Sequence, residues 1–157
     1  MVLYGQVCNI YYFNGAGAPL LVTLNILLQF KRFIASAVYY DGSDALFVEF
    51  TEEPEDIADE ATDYLLVGYS DTEKIKYIRI DSPSTYVRGI ASDKPTFSLK
   101  TAYDEKNDVF RFNLADPVSV TIQKTDIEGI ELEIDDEGKL VTILILNAST
   151  RMTNMSQ

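Results

Sequence analysis

Residues 130–149 read IELEIDDEGKLVTILILNAS, and two features of this stretch decide the fold. Ile130, Leu132 and Ile134 alternate with Glu131, Glu133 and Asp135, the period of two expected of a strand with one face on a core and one in water. After the turn at DEGK, where Gly138 supplies a residue that tolerates positive φ, the chain from Val141 to Leu146 is apolar on both sides. That pattern predicts a strand lying centrally in its sheet or at an interface, with neighbours covering both faces.

The same order recurs along the chain. YYDGSDALFVEF (39–50) matches AYDEKNDVFRFNL (102–114), and YLLVGYSDTEKIKYIRIDSPS (64–84) matches IELEIDDEGKLVTILILNAST (130–150), with a residue of slip allowed in each. Tyr40, Asp41 and Asp44 answer to Tyr103, Asp104 and Asp108; Ile75, Ile78 and Ile80 answer to Leu140, Ile143 and Ile145. A repeat of roughly 45 residues is too small to bury its own apolar face, so two copies must share one. The expected fold is mainly β: an antiparallel sandwich or barrel-like pseudo-dimer of two strand–turn–strand units, 38–84 and 102–149, with one or two short helices. The whole chain, 1–157, forms one domain on this reading, with 150–157 as a tail.

Residues 1–36 lie outside the repeat. VLYGQVCNIYYF, then NGAGAP, then a second apolar segment read as a hairpin turned at Asn14-Gly15. Leu20, Val22, Leu24, Ile26, Leu28 and Phe30 alternate as in a strand, although Leu20, Leu21, Leu24, Leu27 and Leu28 also fit helical spacing. Thr23, Asn25, Gln29 and Lys31-Arg32 interrupt or close this segment short of a membrane span. The acidic run TEEPEDIADEATD (51–63) is expected to form a short helix capped by Thr51, or an acidic loop.

The repeated residues resemble the family of domain of unknown function 2283, whose pattern is Y-D-x-x-x-D-x-L-Y followed by D-x-D-x-x-G-x-x-x-G-I-E-I-L-x-A-S. The second copy follows it from Tyr103 to Ser149, with Thr142 where a glycine is usual. The first departs more, with Thr72 in place of the turn glycine and without the ending. The resemblance implies no catalytic residues. It implies an antitoxin-like role of masking a compact basic partner.

A formal net charge of −12, from 25 acidic and 13 basic residues, repels nucleic acid and anionic membranes. With no histidine the usual general base is missing, and Cys8 has neither a His partner nor a basic cluster to activate it. No glycine-rich phosphate loop or Cys cluster calls for a cofactor. The lone cysteine and the lack of a secretory leader pattern point to the cytoplasm.

The leading reading is a non-enzymatic protein-binding or structural β domain. Its acidic run, Glu52, Glu53, Glu55, Asp56, Asp59 and Glu60, would meet a basic protein. The uncharged N-terminal hairpin either completes the core or makes a self-association contact. The alternative is a small-molecule or divalent-metal protein with a cavity lined by Tyr12, Tyr39 and Tyr40. Its metal candidates are Asp135 and Asp136, which turn chemistry also accounts for.

Overall fold

The computed structural model describes residues 4–7, 10–13, 19–21, 36–90 and 99–153. In chain order its strands are β1 (Tyr4–Val7), β2 (Ile10–Phe13), β3 (Pro19–Leu21), β4 (Ser36–Tyr40), β5 (Ala45–Glu49), β6 (Glu55–Thr62), β7 (Leu65–Ser70) and β8 (Ile75–Asp81). The short helix α1 (Pro83–Tyr86) comes next. Then follow β9 (Lys100–Asp104), β10 (Val109–Asn113), β11 (Thr121–Lys124), β12 (Ile130–Ile134), β13 (Leu140–Leu146) and α2 (Ala148–Arg151).

Each unit makes its own sheet. One runs β3-β2-β4-β5-β8-β7-β6 and the other β1-β9-β10-β13-β12-β11; both orders are open, so the fold is a sandwich and not a barrel. Pairing is antiparallel except between β2 and β4. The doubly apolar strand β13 lies between β10 and β12, as its composition requires.

Alternation builds the shared core. Tyr39, Leu46, Val48, Val67, Ile78 and Ile80 from one sheet join Phe110, Phe112, Ile130, Leu132, Ile143 and Ile145 from the other in a single buried cluster. Phe50, just past β5, meets Phe110 and Phe112 edge-to-face with centroids 6.0 and 6.4 Å away, so three aromatic rings tie the layers together.

The outer faces differ. On the second sheet, Arg111 Nη2 donates to both carboxylate oxygens of Glu133 at 2.6 Å. Their register with Leu144 and Thr142 makes this pair span the central strand, where Leu144 and Thr142 are 4% and 2% exposed. On the first sheet the corresponding positions hold Phe47 and Gly68, with Tyr77 and Arg79 on the central strand between them. Phe47 packs against Tyr40 and Tyr77, and Arg79 sits 5.3 Å from the Phe47 ring centre. A Cβ on Gly68 would come within 2.1 Å of the Tyr77 ring, so the ring's position requires glycine there.

Three expectations need correction. No helix forms in the acidic run: residues 51–54 are irregular, and residues 55–62 pair with β7 as edge strand β6. Asp and Glu are poor strand formers, but on an edge they are tolerated and guard the open backbone. Lys76 also pins the run's start, donating to the Thr51 and Glu53 carbonyls at 3.4 and 2.6 Å. Second, VLYGQVCNIYYF is not one hairpin arm. It splits into β1, paired with β9, and β2, paired with β3 and β4, which places its two halves in different sheets. Third, the tyrosine equivalent to Tyr103 is Tyr39, not Tyr40, as the hydrogen bonds below show. Cys8, the Asn14-Gly15 turn, most of the second arm (22–31) and the end of the tail (154–157) lie outside the described residues.

Phe110 is fully buried at the junction of the sheets. Phe110→Ala should lower the unfolding free energy by about 3–5 kcal/mol, read as a reduced urea midpoint with unchanged slope. A loss below about 1 kcal/mol would contradict the shared core.

Candidate functional site

Each unit holds a hydrogen-bonded cluster of a tyrosine, an aspartate and a serine. The Tyr103 hydroxyl donates to Asp108 Oδ1 at 2.8 Å, Ser149 N–H donates to the same oxygen at 2.8 Å, and Ser149 Oγ donates to Asp108 Oδ2 at 2.7 Å. In the first unit Tyr39, Asp44 and Ser84 repeat this at 3.0, 3.4 and 2.5 Å. The sequence comparison missed the serine because Ser82-Pro83-Ser84 does not look like Asn147-Ala148-Ser149. Pro83 starts α1 without needing an N–H, and Ser82 and Asn147 adopt the same left-handed conformation, with φ of 50° and 52°. Asp44 and Asp108 are also left-handed, with φ of 45° and 53°, a conformation open to Asp at modest cost.

Electrostatics fix the protonation states. Burial first, and then the neighbouring Asp108 carboxylate, pushes the Tyr103 hydroxyl up to about 12, so it stays a neutral donor. Burial pushes Asp108 upward, but the two Ser149 donors and Tyr103 outweigh it and hold the carboxyl below its ordinary value. Asp104 is lowered as well, chiefly by the Asn107 side chain across its turn.

A second device locks the units to each other. The tail of each helix crosses to the other unit's turn: Val87 bridges Leu140, and Met152 bridges Ile75. Lys139 Nζ donates to the Thr85 carbonyl, and Lys74 Nζ donates to the Thr150 carbonyl, both at 2.5 Å. Arg88 N–H donates to the Leu140 carbonyl at 2.9 Å, and its guanidinium meets Asp135 at 2.6 Å.

Asp135 is thereby committed to structure. Its Oδ1 accepts the N–H groups of Glu137 and Lys139 at 2.9 and 2.8 Å, and these contacts, the Lys139 bond foremost, hold its carboxyl below its usual range. Asp136 is exposed beside it. Among the described residues no group of three or more metal-ligating side chains gathers. In the first unit Ser70 stands where Asp135 stands, and Glu73, with φ of 59°, takes the place of Gly138 with φ of 76°. Glu73, not Thr72, therefore occupies the turn-glycine position. An open cleft between Arg88–Ile90 and Glu137–Lys139 is the seam of this crossing, with both cations already engaged.

Tyr39 is 2% exposed with its hydroxyl on Asp44, whereas Tyr40, the next residue on the same strand, is 43% exposed on the outer face. Neighbours on a strand point to opposite sides, so one cavity does not receive both. Tyr12 lies on β2 in register with Tyr39.

The acidic run divides by role. Glu53 accepts from the Thr72 hydroxyl at 2.9 Å, and the Ser70 and Thr72 hydroxyls hold its carboxyl low; it closes the β7–β8 turn. Glu52 is exposed, Glu55 and Asp56 open β6, and Asp59 and Glu60 are exposed along it. The side chains of Asp59 and Glu60 make no hydrogen bond or ion pair among the described residues. No helix among the described residues is long and apolar enough to cross a membrane.

Residues 100–149 match the model of a family described as a protein of unknown function (DUF2283). The match is confined to the second unit and contains Tyr103, Asp104, Asp108, Asp135, Gly138 and Ser149, the residues that hold its turns and cap. No curated protein and no solved structure matches the chain.

Asp108→Ala should cost about 2–3 kcal/mol through lost hydrogen bonds to a charged group. Asp108→Gly loses the same bonds but relieves the left-handed backbone, so it should be the more stable of the two by about 1 kcal/mol. Equal stabilities in urea titration would show that the backbone strain is absent. For Asp104, Asp108 and Asp135 the folded-state pKa lies below the unfolded one. Their contribution is present above the ordinary carboxylate value of about 3.9 and is lost as pH falls through the lower folded values. The melting temperature should fall on that acid side, and less steeply in Asp108→Gly.

Proposed function

We propose that the chain is a protein-binding β module of the cytoplasm, whose acidic edge strand β6 receives a basic protein surface in an antitoxin-like, masking interaction. The supporting observation is that Asp59 and Glu60 project from an open sheet edge and are not needed to hold the fold. With a net charge of −12, encounter with a cationic partner is steered from a distance. The strongest polar clusters are consumed by turns and caps, which favours a binding surface over a catalytic centre. On the same reading residues 38–84 are a diverged second copy of the family unit, supported by the shared Tyr–Asp–Ser hydrogen bonds.

Titration calorimetry with small basic proteins at low ionic strength should give an affinity that falls as salt rises. The double variant Asp59→Lys, Glu60→Lys should bind roughly tenfold or more weakly. An affinity unchanged by that double reversal would remove β6 from the function.

A further inference from the structure

The two units end in equivalent edge strands that are guarded very differently. β6 carries Asp59 and Glu60, follows Pro54, and pairs with β7 through two register shifts, all devices that discourage another strand from adding. β11 pairs with β12 without a shift, and PVSVTIQ, residues 117–123, which runs from the irregular segment before β11 into the strand, has no charged side chain. Val118 and Ile122 are 37% and 63% exposed there. An uncharged, β-prone, unbulged edge is a template for strand addition.

We propose that this edge is an interface for a second copy of the chain, in which β11 of each copy pairs antiparallel with residues 116–119 of the other, the segment that leads into β11, about a two-fold axis at Val120. In that register Ile122 lies opposite the partner's Val118, and Lys124 opposite the partner's Asp116. The two-fold repeats both contacts, so the edge is its own complement in shape and charge. Asp116 can re-pair readily, because its contact with Lys100 is 3.5 Å long with side chains 86% and 56% exposed. Two copies of net charge −12 repel along most of their surfaces, and this uncharged segment is where they can approach most closely. The sheet then continues from one copy into the next, which leaves β6 on the other sheet for a different partner.

Sedimentation of the full chain alone tests this apart from any basic partner. The wild-type chain should run as a dimer that dissociates on dilution. Ile122→Lys, at an exposed position, should run as a monomer with an unchanged circular dichroism spectrum. Lys124→Glu should weaken the dimer roughly tenfold by setting like charges opposite each other twice, and adding Asp116→Lys should restore it. Ile57→Lys on β6 should leave the dimer intact. A wild-type monomer at every concentration, a dimer untouched by Ile122→Lys, or a charge swap that fails to restore association overturns the proposal.

Discussion

The aspartate that follows each unit's first turn is the constraint on which the rest depends. Asp108 accepts from Tyr103 on β9 and from Ser149 at the start of α2, so one carboxylate joins the unit's beginning to its end. Asp44 does the same with Tyr39 and Ser84. Each unit closed in this way sends the residues after its helix to a strand of the other unit. The crossed bridges of Val87 with Leu140 and Met152 with Ile75 follow. Neither unit completes the turn region of its own hairpin; each depends on the other's tail.

The repeated polar positions of the two units are taken up by these structural contacts. A half-buried carboxylate with three donors is stabilised in its charged form and has little capacity left for chemistry. The tyrosine beside it is pushed toward the neutral state and serves as a donor. The units diverge in the turn residues, with Ser70 and Glu73 where Asp135 and Gly138 stand, and further on the outer faces and edges. Glu133 with Arg111 seals one outer face, while Gly68 lets the Tyr77 ring lie flat on the other. One edge carries several carboxylates and two register shifts, and the other carries Lys124 alone and pairs without a shift.

Much of the architecture was legible because burial imposes period two on any strand with one wet face. Ile130 to Ile134 and the doubly apolar Val141 to Leu146 placed themselves, and the β7–β8 hairpin came with them. The acidic run was misread because capping and dipole preferences are local, whereas an edge strand forms when a neighbour offers a ladder. Tyr39 and Tyr40 were confused because adjacent tyrosines are equivalent in sequence and opposite in space. Ser84 was overlooked because a proline and an alanine occupy the same backbone position for different reasons.

The sequence by itself determined the β class, the two-unit arrangement, the central place of β13 and the acidic character, since these depend on alternation and composition summed over many residues. Only the tertiary structure decided which side chains are free. Whether the Glu53 or Asp59 side chain is left exposed, and whether Asp135 is held by Arg88, depends on contacts between residues far apart in the chain. Local pattern carries no record of such contacts, because they exist only once the two units have closed on each other.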